Sequence, residues 1–472
     1  MYFLYEKNRK DIIMIDNRIN QINQTLRVEE SFDLIYRTLT IGEKVSCIYF
    51  IDGFVKDDIM QKILDSFSSI KKEDLTDAHT FLKQNLPYVE VDMTSDMETF
   101  KTSILTGITG LVIDGFEELI LIDCRSYPAR SVEEPDKDKV LRGSRDGFVE
   151  TIVSNAALIR RRIRDEHLTF SMMNAGTASK TDIAVCYMDN KVDKKLLEEI
   201  KKRISKIDAE ALTMNQESLA ECLYKGKWLN PLPKFKYSER PDTAASAILE
   251  GHIVILVDNS PSSMILPTSF FDIIEEADDY YFPPVTATYL RFTRVVITLI
   301  TLFLTPLFLL FFNHPEWIPK NFEFIIIQDD INVPVFWQFL ILELAIDGLK
   351  LAAVNTPNML NTPLSIIAGI LLSDSAVESG WFNNECLLYM AFAAFGTYTM
   401  QSFEFGYAIK FFRLMLLVLT QLFHLWGFSA GTIFIIVFMF ANKTISKESY
   451  MKPLFPLNIK ELANKFVRFQ KH

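Results

Sequence analysis

Along the first 294 of the 472 residues, short apolar runs alternate with charged stretches; after Arg294 the charges thin out and long apolar runs take over. The pattern is written for two solvents, with a water-soluble α/β region followed by helices suited to a bilayer. In the first region, KVSCIYFIDG from Lys44 reads as a buried strand ended by Asp-Gly, and Asp57 to Ser68 as an amphipathic helix with Ile59, Ile63, Leu64 and Phe67 on one face. A second helical piece covers about Thr76 to Asn85, and two further strands, GLVIDG at 110–115 and ELILIDC at 118–124, meet at Gly115 and Phe116. A charged linker bearing Pro135 runs from Tyr127 to about Asp138, and a Gly-bearing turn then leads into an amphipathic helix within 141–165. LTFSMMNAG and TDIAVCYMD alternate like strands, Val192 to Ile207 is a charged amphipathic helix, and Thr243 to Leu249 is a short Ala-rich helix. HIVILVD and SSMILP form a hairpin around Asn259 to Ser262. The expected fold class is an α/β cytosolic N-terminal region of two subdomains followed by an α-helical multi-span membrane domain. Its parts are an N-terminal arm (1–30), subdomains at 31–130 and 131–282, transmembrane helices over 283–442 and a cytosolic tail at 443–472.

Val295 to Phe312 is the first expected span, with Thr298, Thr301 and Thr305 on one stripe and Pro306 kinking it. The returning segment, Val333 to Val354, is apolar yet carries Glu343, Asp347 and Lys350 at i, i+4 and i+7, on one helix face. An ionised group near mid-bilayer costs roughly 2.5 to 3.5 kcal/mol on insertion scales unless water or a partner meets it. Two readings stay open: an internal Asp347 to Lys350 ion pair that locks helix packing, or a polar face lining an aqueous pathway. Pro357 and Pro363 precede an uncharged piece too short to span, which predicts a re-entrant or broken helix, and Cys386 to Met400 is another span. Leu414 to Asn442 suits either one steeply tilted helix or a tight hairpin at Gly427 to Gly431. Arg291 and Arg294 before the first span, and Lys443, Lys447 and Lys452 after the last, put both ends in the cytosol and require an even number of crossings, four or six.

A net charge of -11 and the lack of a basic stripe with interleaved aromatics exclude a nucleic-acid binder. Five scattered cysteines without CxxC spacing fit buried thiols in a reducing compartment, and six dispersed histidines give no metal-ligand cluster. The N-terminus has charges within its first ten residues and no apolar core of signal-peptide length. Without Ser-His-Asp spacing, HExxH, a P-loop or a Rossmann fingerprint, neither an enzyme nor a cofactor is expected. Asp52 and Asp114 each precede a glycine at a strand end, where turn chemistry explains them. Arg142, Gly143, Arg145 and Gly147 precede a helix start and have the composition of an anion cradle, but not the P-loop spacing. Arg160, Arg161, Arg162 and Arg164 read as a helix C-terminal cluster or an interface. Glu275, Glu276, Asp278 and Asp279 form an acidic cluster at the junction, either an ion funnel or a solvated helix end.

Several of these stretches are recognisable together. RGSRDGFVETIVSNAALIRRR (142–162), ERPDTAASAILEGHIVILVDNSP (239–261) and PTSFFDIIEEADDYY (267–281) resemble the signatures of the GerA-type spore germination proteins, the A subunits of germinant receptors. The resemblance extends from about Val45 to about Pro456. In the membrane half, FWQFLILELAIDGLKLAAVNTPN (336–358) and YAIKFFRLMLLVLTQLFHLWGF (407–428) are more similar to the stage V sporulation branch than to the nutrient receptors. The resemblance implies a spore inner-membrane protein whose subunits form rings that conduct ions at germination. It also implies membrane lipids, further copies of the chain and other spore inner-membrane germination proteins as partners, with room for a small membrane partner. The Arg142 to Arg162 motif becomes a candidate interface, and Glu343, Asp347, Lys350 and the threonine stripe a candidate ion pathway. A non-conducting anchored scaffold and a secondary transporter are the competing readings.

Overall fold

Strands that are apolar on successive residues need cover on both faces, and the N-terminal region supplies it twice. The computed structural model describes residues 17–86, 88, 90–125, 143–224, 229–355, 369 and 374–468. It divides into two compact units, one of residues 1–226 and 235–267, the other of 227–234 and 268–472.

In the first unit, helix α1 (17–26) precedes β1 (Leu34–Ile41), β2 (Lys44–Ile51), α2 (Asp57–Phe67), α3 (Ala78–Gln84), β3 (Val91–Thr94), α4 (Met97–Leu105), β4 (Thr109–Ile113) and β5 (Leu119–Ile122). These strands form one antiparallel sheet in the order β1-β2-β4-β5-β3. On β2, Cys47, Tyr49 and Ile51 face α1 and α4, while Ile48 faces α2 and α3. The second half runs α5 (Ile152–Arg160), β6 (Leu168–Ala175), β7 (Thr181–Met188), α6 (Lys194–Ile204), α7 (Asn215–Leu223), β8 (Lys236–Ser238), α8 (Pro241–Leu249), β9 (Ile253–Val257) and β10 (Ser263–Leu266). Its sheet order, β6-β7-β9-β10-β8, reproduces the first strand for strand.

The unit is therefore a tandem repeat. From α4 onward the halves keep a fixed separation of 144 positions: Met97 with Pro241, Gly107 with Gly251, Asp114 with Asp258, Leu119 with Ser263. Gly107 and Gly251 leave their nine-residue helices at φ +97 and +96, a conformation that suits glycine, and a Cβ at Gly107 would also collide with the Phe54 ring. Helix α1, expected within a polar arm, packs in the first core because Ile19, Ile22 and Leu26 make a stripe at i, i+3 and i+7, each at most 7% exposed. β1, β3, α4 and α7 add to the elements read from periodicity.

The second unit begins with α9 (Phe270–Ile274) and α10 (Asp278–Tyr281), followed by α11 (Pro284–Asn313), α12 (Val335–Asn355), α13 (Asn384–Tyr398), α14 (Phe403–Ala441) and α15 (Ile459–Phe466). Helix α11 starts eleven residues ahead of the expected span and runs through Pro306. Among the described residues, α11 and α14 are long and apolar enough to cross a membrane. Helix α14 folds back on itself. His424 takes φ +48 and ψ -128, and around it Phe412 meets Phe438, Leu416 meets Gly431 and Leu419 meets Gly427. The two arms, 403–423 and 425–441, are thus an antiparallel hairpin whose turn lies three residues before Gly427. Glycines are required there because a Cβ at 427 would strike the Leu419 carbonyl.

Ring contacts of Phe308 with Phe339 and Tyr389 place the end of α11 beside the starts of α12 and α13. The hairpin turn joins them at that end, where the His314 and His424 rings lie 5.5 Å apart. The broken-helix expectation at Pro357 and Pro363 falls outside the described residues.

Candidate functional site

Two acids four residues apart on α12 meet two bases three apart on the first arm of α14. Glu343 is 5% exposed and Arg413 is 2% exposed, although each ordinarily seeks water. Arg413 donates through Nε to Glu343 Oε1 at 2.8 Å and also through Nη2, giving a forked contact. Its Nη1 donates to the backbone oxygens of Thr301 (3.0 Å) and Ala393 (3.4 Å). One guanidinium therefore ties together α11, α12, α13 and α14. Lys410 lies 3.2 Å from Glu343 and pairs with Asp347. The pairing is two against two, and each charge sits in the bundle only because its opposite reaches it.

Lys350 does not pair with Asp347. It lies over the rings of Tyr398 (4.5 Å) and Tyr407 (5.7 Å), and Lys410 occupies the place by Asp347. The reason is geometric: Lys350 lies one turn beyond Asp347 on the same helix, whereas Lys410 approaches from the facing helix. Thr298, Thr301 and Thr305 are at most 7% exposed. Thr298 and Thr301 donate to the backbone oxygens of Arg294 and Ile297, and Gly396 of α13 packs directly onto Thr301. The stripe is a packing surface for α13 in this conformation.

At the opposite end from the hairpin turn, the acidic cluster is neutralised. Glu275 lies 2.7 Å from Arg291 and 2.9 Å from Lys465, Glu276 lies 2.8 Å from Arg294, and Asp279 contacts both arginines at 3.0 and 2.8 Å. Asp278 is half-buried beside them. With Asp279 buried and the other three acids partly covered, little of a solvated helix end is left.

In the first unit, Arg160 is wholly buried and joins the repeats. It contacts Asp33 at 2.8 and 3.2 Å, donates to the carbonyls of Asp165 and Leu168, and stacks over Phe170. Arg162 holds Asp146 at 2.6 Å, and Arg240 donates to the Ser144 carbonyl, so the turn is tied by its own neighbours. Burial pushes the Asp146 carboxyl up, but hydrogen bonds from Arg162 and Ser144 outweigh it and hold the group below its usual range. Gly143 has φ +135, Gly147 is buried, and Arg145 and Arg161 are exposed; Arg142 lies outside the described residues. Asp165, Glu166 and His167 bring ligand atoms within 4.8 Å of one another, yet Asp165 already accepts from the His167 amide and Glu166 pairs with Lys101.

Lys410 and Arg413 are the partners of the α12 acids that periodicity missed. Their signal was present: a Lys-x-x-Arg pair in an apolar run has the helical spacing that answers Glu343 and Asp347.

The family model for the Bacillus/Clostridium GerA spore germination protein matches residues 20–472. Stage V sporulation protein AF of Bacillus subtilis is 37% identical over 93% of this chain and 90% of its own length. Spore germination protein KA of the same organism is 26% identical over 96% of this chain and 84% of its own. The crystal structure of the N-terminal domain of the A subunit of the Bacillus megaterium spore germinant receptor GerK3 covers 53% of this chain and 94% of that domain, with 22% identity and a TM-score of 0.38.

Proposed function

The chain belongs to the Bacillus/Clostridium GerA family of spore germination proteins, and on that premise we propose that it is a multi-span subunit of a homo-oligomeric, cation-conducting assembly in the spore inner membrane. Its α/β unit and C-terminus face the cytosol, and it contributes to ion release at germination alongside other germination proteins of that membrane. The observation that carries this reading is Glu343, a carboxylate buried at the ninth position of the 21-residue α12. Ionisable groups at such depth are retained for ion paths, proton relays or switching. The excess of charge that keeps α12 from resembling a simple apolar span is matched by Lys410 and Arg413 of α14, so α12 can cross the bilayer with its partner.

In this reading the paired state is closed: Arg413 and Lys410 occupy the carboxylates that would otherwise meet a passing cation. Opening separates α12 from α14, and neighbouring subunits supply the rest of the hydrated path. The completeness of the pairing favours a second reading, an anchored scaffold that docks other germination proteins and conducts nothing. Potassium efflux from liposomes carrying the purified protein separates them. In the conducting reading the paired, closed state is in equilibrium with the open one, so efflux runs well above that of empty liposomes, and Glu343→Gln with Arg413→Gln, which removes both charges at once, lowers it because the path loses its carboxylate. Wild-type efflux equal to that of empty liposomes leaves the scaffold.

A further inference from the structure

We infer that the C-terminal segment from Phe455 to Val467 is a lipid-contacting collar at the cytosolic membrane surface, not a free cytosolic tail. The inference rests on the membrane reading above and adds to it a surface and an occupant. After α14 the chain stays on the bundle. Tyr450 is fully buried, its carbonyl accepts from the Phe270 amide at 2.9 Å, and Phe455 packs edge-on against Phe440. Helix α15 is then clasped at its C-terminal end. Arg291 Nη1 donates to the Asn464 and Lys465 carbonyls at 3.0 and 3.2 Å, and Lys465 reaches Asp272 and Glu275 at 2.6 and 2.9 Å.

These contacts fix the height of α15. It lies beside residues 288–291 of α11, since the Arg468 amide also donates to Thr288 Oγ1. From there to Thr301, at the level of the buried charge pairs, is about 15 to 20 Å of helix rise. Half the hydrocarbon thickness of a bilayer is about 15 Å, so α15 lies at the boundary of acyl chains and headgroups. At that same level α11 turns Tyr289 and Phe292 outward, each more than 60% exposed.

What the collar exposes suits that boundary. Phe455, Leu457 and Ile459 are 57, 63 and 73% exposed, in a run that water alone would disfavour. An apolar edge continuous with spanning helices, beneath an aromatic pair of α11, matches the interfacial layer of a membrane.

Nitroxide labels on the full chain, in phosphatidylethanolamine and phosphatidylglycerol vesicles, test this by comparing collisions with oxygen and with a water-soluble nickel chelate. The background carries Cys222→Ser, which removes the one cysteine of the five that is not buried. Labels at Leu457→Cys, at Leu299→Cys on the outward face of α11, and at exposed Lys202→Cys give the three readings. Expected is an oxygen-to-nickel ratio at 457 several-fold above that at 202 and below that at 299. A ratio at 457 equal to that at 202, with 299 lipid-like, overturns the collar while sparing the membrane reading. Shielding of 457 from both reagents overturns it in favour of a protein partner. An aqueous ratio at 299 overturns both.

Discussion

Replacing Arg413 by methionine is the sharpest perturbation of the bundle. Arg413 makes two contacts to Glu343 and two to the backbone of α11 and α13. Without it, Glu343 and Asp347 share Lys410 as their remaining contact among the described residues, so the buried Glu343 carboxylate is left undercompensated or protonated, while Asp347 is partly exposed. Breaking a buried pair by removing one partner costs about 3 to 5 kcal/mol. For a unit of about 200 residues, that loss lowers the melting temperature by about 10 °C. Arg413→Met in mild detergent, followed by fluorescence-detected size-exclusion after heating, reads this directly. Glu343→Met added to it removes the stranded acid while leaving Asp347 with Lys410, and recovers the melting temperature to within a few degrees. Unchanged stability in the single variant, or a double variant no better than the single, refutes the reasoning that the charges are held in the bundle by each other.

In sealed, right-side-out membranes, protease leaves the region before Phe282 intact, and digestion there overturns the orientation. His424→Gly raises the stability of the bundle by about 1 kcal/mol, because φ +48 is strained for histidine and open to glycine, whereas Gly427→Ala unfolds the hairpin; both are read by thermal denaturation. Arg160→Ala strands Asp33 and loosens the two repeats, seen as faster proteolysis between residues 31 and 168, and Arg160→Lys restores little because one ammonium cannot replace the fork. Burial pushes the Lys234 ammonium down to about 8, below its unfolded value. The unfolded chain then binds the extra proton, so stability rises with pH between about 8 and 10.5, and Lys234→Met flattens that part of the profile.

The sequence made the strands legible wherever both faces needed cover, because runs such as Ile253 to Val257 have no other stable use. It hid α1, whose three apolar residues stand among asparagines and glutamines, until the repeat explains why the position needs a helix. The fixed separation between Leu105-Thr106-Gly107 and Leu249-Glu250-Gly251 was visible in principle, but few identities mark it and the shared shape rests on burial pattern. The acids of α12 were legible singly. Their partners were not, because periodicity places residues on a face without saying which helix comes opposite, and Lys350 looked the nearer cation to Asp347. The choice between a tilted helix and a hairpin in α14 turned on one backbone angle at His424, which no side-chain pattern encodes.

The central claim is that cations pass where Glu343 sits, and the reversal potential of the reconstituted protein in a tenfold potassium chloride gradient tests it most directly. Cation selectivity moves the reversal toward the potassium equilibrium potential, up to about 59 mV for a univalent ion. Glu343→Gln with Arg413→Gln shifts it toward zero. A wild-type reversal at zero or on the chloride side, or one that the paired substitution leaves in place, contradicts the claim.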